Sequence, residues 1–269
     1  MRRVLLGAVV LGGAVLTSCG GGNKGASDTS AAAASGGAAG GGAAGAAAGG
    51  GGPTGNATVN GTITFTGTAP ANPKIDMSQE GPCQAKHPTP PEEPQYVVSN
   101  GKLGNVFVYV KSGLPAGATY TAPDASVEID QDGCLYKPRI FGVMTNQKIL
   151  IKNADPVLHN IKAVPKTNRG FNISQPSAGM QTTRTFTTPE VMVPLECNVH
   201  SWMHAFVGVR PDPFFATSGP DGTFSIKNLP PGTYTIEAWH EKLGTQTQTV
   251  TIGAGETKTA DFTFSGPKA

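Results

Sequence analysis

Apolar positions fall into two regimes along this 269-residue chain, separated by a stretch that holds almost none. Val4 to Leu16 form one continuous apolar run of 13 residues behind Arg2 and Arg3. That run is too short to span a bilayer as a helix. From residue 58 onward, apolar and polar residues alternate in short runs. Examples are Thr62-Ile63-Thr64-Phe65-Thr66, Val106-Phe107-Val108-Tyr109-Val110, Ser126-Val127-Glu128-Ile129-Asp130 and Lys148-Ile149-Leu150-Ile151-Lys152. Val207-Gly208-Val209, Thr223-Phe224-Ser225-Ile226 and Tyr234-Thr235-Ile236-Glu237-Ala238 continue the pattern. Turn clusters such as Asn100-Gly101, Pro220-Asp221-Gly222 and Pro230-Pro231-Gly232 separate the runs. No useful window carries a helical apolar period. The pattern predicts an all-β chain built of packed β-sandwiches.

Residues 20–57 supply the gap: Gly and Ala fill 28 of these 38 positions. Such a segment buries too little apolar area to offset its chain entropy, so it reads as a disordered tether spanning about 31–37 Å. The basic start, short apolar run and small residues of 1–18 have the order of a secretory signal. The run Leu16-Thr17-Ser18-Cys19 resembles the bacterial lipoprotein signal, which implies a lipid on Cys19. Gly20 stands where inner-membrane retention would place Asp, so the expected location is the outer membrane, on its periplasmic or surface side. Without Arg2 and Arg3, 18 basic residues balance 18 acidic ones. A neutral surface gives no electrostatic case for nucleic acid or an anionic membrane. The expected membrane contact is therefore the lipid.

Cys19 taken by lipid leaves Cys83, Cys134 and Cys197, an odd number for an oxidising compartment. Cys83 in Gly-Pro-Cys-Gln-Ala-Lys-His and Cys134 in Asp-Gly-Cys-Leu-Tyr-Lys-Pro sit in polar, turn-like contexts suited to a disulfide. Cys197 sits between an apolar strand and a histidine. The natural division is a Cys83–Cys134 bridge and a separate role for Cys197, a thiol that a metal would protect from oxidation.

A boundary falls near Arg210-Pro211-Asp212-Pro213, which divides the folded part into 58–210 and 211–269. Beyond it, the Asp-Gly…Leu-Pro-Pro-Gly-x-Tyr pattern resembles the carboxypeptidase-regulatory-like, transthyretin-type sandwich. That module is short for a full sandwich. Gly61 to Gly67 resembles its opening strand, which leaves open that residues 58–67 pack with 211–269 around an inserted domain.

Candidate chemistry concentrates in two segments, Lys152 to Ile161 with His159 and Asn160, and Cys197-Asn198-Val199-His200-Ser201-Trp202-Met203. Together they offer two imidazoles, a thiolate and a thioether, the donor types of blue-copper sites. Here the sequence, from about Gly101 to Arg210, resembles the cupredoxin family. The resemblance implies a Greek-key sandwich holding one type 1 copper ion through His159, Cys197, His200 and Met203. It further implies a monomeric one-electron carrier for an unidentified redox protein in the cell envelope. Zinc suits the same donors. Met203 reads either as the axial ligand or as core, and His204 either as its competitor or as a surface residue. Trp202 reads as packing or as part of an electron entry patch. Asn153 and Asn160 are expected to hold the ligand loops by hydrogen bonds.

Enzymatic readings find little support. The five histidines contain no His-x-His pair for further copper sites, and no Gly-x-Ser-x-Gly elbow is present. The glycine tract opens no helix, so it is no phosphate loop. Cys83 to His87 lacks the second cysteine of a haem attachment motif. Trp239-His240-Glu241 reads as a domain contact more readily than as a second metal site. The alternative to electron transfer is a copper-binding or delivery protein, or a cell-surface sandwich, without a redox role.

Overall fold

A computed structural model describes residues 51–266. The expected signal peptide, the expected lipid site at Cys19 and most of the expected tether lie outside the described residues. β1 (Ala57–Thr66) buries Ala57, Val59, Gly61, Ile63 and Phe65 and turns the alternate residues outward, the period of two that a half-buried strand requires. A strap over residues 67–97 follows, carrying a four-residue helix, α1 (Gly81–Gln84), and one bridge between Lys74 and Glu92. The chain then forms β2 (Val98–Ser99), β3 (Lys102–Leu103) and β4 (Phe107–Ser112).

The next nine strands form one sandwich. They are β5 (Val127–Gln131), β6 (Tyr136–Lys137), β7 (Ile140–Met144), β8 (Ile149–Asn153), β9 (His159–Ala163), β10 (Phe171–Gln175), β11 (Gln181–Arg184), β12 (Glu190–Glu196) and β13 (His204–Arg210). Its sheets run β10-β9-β12-β13-β7 and β11-β8-β5-β6. Between them lies a core that includes Ile129, Ile149, Ile151, Ile161, Phe186, Val193, Leu195 and Val207. β13 and β7 pair in parallel, and the other contacts named in these two sheets are antiparallel except β5 with β8.

The chain then returns through β14 (Phe215–Thr217), β15 (Thr223–Leu229), β16 (Gly232–His240), β17 (Gly244–Ile252), β18 (Thr257–Thr259) and β19 (Phe262–Ser265). β15, β18 and β19 all pair with β1, and β14-β4-β16-β17 forms the facing sheet. The second core therefore joins Val59, Ile63, Leu103, Val108 and Val110 to Phe224, Ile226, Tyr234, Ile236 and Phe262.

The pairing joins β1 to the strands after residue 210, the arrangement left open for residues 58–67, and joins β4 to them as well. After residue 210, β15, β18 and β19 are joined through β1, and β14 and β16 through β4, so the early strands complete the sandwich. β4 and β14 pair antiparallel, Tyr109 opposite Phe215, so the first sandwich is inserted where a hairpin would have its turn. The two sandwiches meet at Gly142 and Gly208, cross-strand partners that leave a flat patch for the rings of Phe107 and Phe215. A Cβ at either glycine would overlap those rings.

Candidate metal centre

The site forms at one end of the inserted sandwich, where adjacent strands bring distant residues level. β9 and β12 pair antiparallel, with Glu196 opposite Lys162, so the start of one lies beside the end of the other. His159 opens β9 and Cys197 follows β12 directly. The loop from Cys197 to Met203 joins β12 to β13, whose pairing of Glu196 with His204 closes it. Within it Cys197 N–H donates to Met203 O at 3.2 Å, and Met203 N–H donates to His200 O at 3.0 Å. These bonds turn His200 back towards Cys197.

One donor atom each from His159, Cys197 and His200 lies within 4.8 Å of the others. The two Nδ1 atoms are 2.9 Å apart, and Cys197 Sγ is 3.9 Å from His200 Nδ1. All three residues are buried, His159 completely. An ion bound at about 2.0–2.1 Å from nitrogen and about 2.3 Å from sulfur spans those separations. This His/Cys cluster is thus able to coordinate a metal.

Hydrogen bonds set the orientation of each donor. His159 Nε2 faces Asp155 Oδ2 at 2.9 Å, so in a neutral ring with its proton there, Nδ1 carries a lone pair. Asp155 in turn accepts from the N–H groups of Gly133 and Cys134 at 2.9 and 2.7 Å and pairs with Lys86 at 2.6 Å. Burial alone would raise the Asp155 pKa, but His159, Lys86 and these N–H groups hold it well below the ordinary carboxylate range. Burial opposes the Cys197 thiolate too, yet His159, His200 and Asn160 bring the thiol down to about 5. The sulfur is therefore anionic at neutral pH, the form that binds metals. Asn160 Oδ1 accepts from Asn198 N–H at 2.6 Å, His200 N–H donates to Cys197 Sγ at 3.4 Å, and Asn153 Oδ1 accepts from Asp155 N–H at 2.9 Å.

The remaining sequence candidates fall into place around this cluster. Met203 is fully buried in the same apolar cluster as Cys197. His204 is tied to Glu93 at 3.0 Å, away from the three donors. Trp202 packs its ring on His200, centroids 5.1 Å apart, and donates to Cys134 O at 2.9 Å. Glu241 pairs with Arg139 between the sandwiches at 2.5 Å, while His240 is buried and stacks on Tyr96. Asp155 belongs to the Asn-x-Asp…His-Asn run, Asn153 to Asn160, that carries the cupredoxin resemblance, but the sequence assigns it no contact of its own.

The Cys83–Cys134 disulfide is present, with Cα atoms 5.6 Å apart, and Cys197 is the free thiol among the described cysteines. Its position corrects the expectation of a one-electron carrier. Two of the three cysteines that converge on the site are bonded to each other and are closed to a metal. Cys83 Sγ lies 3.8 Å from His200 Nε2, and Glu80 Oε1 lies 3.9 Å from the same atom. The bridge and the strap thus roof the Nε2 edge of an imidazole that is 1% exposed. A metal-binding module without a redox role fits these findings better.

Residues 207–265 match the carboxypeptidase regulatory-like domain. Comparison with curated proteins returns no match. Among solved structures, a purple cupredoxin from Nitrosopumilus maritimus aligns at 19% identity over 31% of this chain and 98% of its own, with a TM-score of 0.27. A copper-containing nitrite reductase from Thermus scotoductus SA-01 aligns at 17% identity over 36% of this chain and 25% of its own, with a TM-score of 0.28. A methionine-to-alanine mutant of amicyanin in its Cu(I) form aligns at 17% identity over 38% and 98% of the two chains, with a TM-score of 0.29. Likenesses at this level carry no functional argument.

Proposed function

We propose that this chain is an exported copper-binding module, holding one ion for storage or delivery through His159, Cys197 and His200. The observation that carries the reading is the buried convergence of two Nδ1 atoms on a thiol whose pKa is brought down to about 5. A thiolate selects soft ions, imidazole suits copper, and copper heads the affinity order of divalent ions. Three such donors match a small coordination number, and Met203, buried in the same loop, offers a soft fourth. The proton on His159 Nε2 stays with Asp155, the Cys197 thiol gives up its own, and the apolar surroundings keep water out. A disulfide in so small a domain supports an oxidising compartment, with attachment through a lipid on Cys19.

Competition against the Cu(I)–bicinchoninate complex tests the proposal on purified, disulfide-bonded protein. One copper per chain is expected, with Zn(II) binding more weakly. Cys197→Ser should lose more affinity than the about 10–100-fold typical of an outer contact. Copper binding absent from the wild type, or unchanged in the variant, would refute it.

A further inference from the structure

The two nitrogens of His200 face different donor sets. Nδ1 points to His159 and Cys197, while Nε2 points to Cys83 at 3.8 Å and Glu80 at 3.9 Å. A disulfide sulfur is a poor acceptor, and 3.9 Å exceeds a hydrogen bond, so Nε2 is a buried imidazole nitrogen without a good partner. Donor atoms of Cys83, Cys134 and His200 lie within 4.8 Å of one another, all buried. As long as the bridge is closed, its sulfurs have no thiolate to offer.

We infer that two-electron reduction of the Cys83–Cys134 bridge opens a second soft-metal site, made of both thiolates and His200 Nε2, with Glu80 at its rim. The proposal goes beyond the single-ion reading and shares only His200 with it. The reductant is a dithiol. One of its thiolates attacks a bridge sulfur, the Cys83–Cys134 bond breaks, and the mixed disulfide resolves into the reductant's own disulfide. The dithiol loses two electrons and two protons, and Cys83 and Cys134 gain them as thiols. Both thiols release their protons to water when the ion binds, and where Nδ1 already holds the first ion His200 releases its Nε2 proton as well and bridges the two ions as an imidazolate.

The site requires the sulfurs to stay close once the bond is cut, and contacts on both sides of the bridge provide for this. Lys86, three residues after Cys83, pairs with Asp155 at 2.6 Å and Asp132 at 3.0 Å. His87 Nε2 donates to Gly133 O at 2.7 Å, and Trp202 Nε1 donates to Cys134 O at 2.9 Å. The Lys86 and His87 contacts hold the strap against the Asp132–Cys134 loop without the covalent link, and Trp202 ties that loop to the one carrying His200. The sulfurs need only part by the width of one ion.

The second site is read by counting Cu(I) per chain, with bicinchoninate as competitor. Protein is reduced anaerobically with a phosphine, which is then removed, and freed thiols are counted with a chromogenic disulfide. Oxidised wild type should bind one ion and reduced wild type two. Reduced Cys83→Ser/Cys134→Ser should return to one. Reduced Cys197→Ser should bind one ion, in the new site alone, and none when oxidised. That arm separates the two readings, because it works even if the His159–Cys197–His200 centre holds no metal. Reduced Cys197→Ser that binds nothing, or reduced wild type that binds no more than oxidised, would overturn the inference. So would loss of the β-sheet circular dichroism on reduction, since the thiols would then have no folded imidazole to share.

Discussion

Asp155 acts at the site through other residues: it accepts four hydrogen bonds or ion-pair contacts and passes their effect to His159. Asp155→Asn keeps the size but loses an acceptor and the charge. Copper affinity is expected to fall about 10–100-fold with the stoichiometry unchanged, read by the same chelator competition. His240 offers a separate test, remote from the metal. Burial, reinforced by Arg139 and Lys242, pushes its pKa down to about 4. In the unfolded chain the ring titrates near its ordinary value of about 6.5, so between about pH 6.5 and about pH 4 the unfolded state holds more protons. Stability present above that window is therefore lost as pH falls through it, by up to about 3 kcal/mol. Urea melts at about pH 7 and about pH 5 should show this fall in the wild type and a smaller one in His240→Phe.

Between the sandwiches, β7 and β13 place Gly142 and Gly208 side by side, under the rings of Phe107 on β4 and Phe215 on β14. Phe107 is wholly buried and has no room to retreat. Gly208→Ala is expected to cost about 1–3 kcal/mol, seen as a lower Tm, with copper stoichiometry unchanged. Elements of this kind mark how far sequence reading reached. Alternation identified β1 and β8 as strands, because a half-buried strand writes a period of two into its residues, whereas β4 is a continuous apolar run buried on both faces. Partner choice leaves no such trace. The place of β1 was therefore left open between the two sandwiches, with Gly61 to Gly67 hinting at the second, and β4 carried no sign of its partner β16. Cys197 and His200 lie three residues apart in one loop, and His159 comes level with them through β9 and β12. The roof over His200 was not readable, since Cys83 meets it across 117 residues through an irregular strap. Asp155 was legible as part of the Asn-x-Asp…His-Asn run, but its contacts were not, because its partners at 133, 134 and 86 come from loops that periodicity does not describe.

On the scale of the molecule, the matched carboxypeptidase regulatory-like stretch, 207–265, begins at the end of β13 and otherwise supplies part of a sandwich whose other strands precede the insertion. A peptide of residues 207–265 alone should show no stable β-sheet circular dichroism, whereas residues 51–266 should melt cooperatively. Addition of a synthetic β1 peptide is not expected to suffice, because β16 would still lack β4. The interleaving also sets a timetable for a chain that emerges amino end first. β5 to β13 are complete before β14 exists, so the inserted sandwich can fold, and its thiol can meet a metal, before the host has its second half. During that interval β1 and β4 wait with open edges through the whole length of the insert. Unpaired edges of this kind invite misassociation, so the early host strands are where a slow or stalled synthesis would first go wrong.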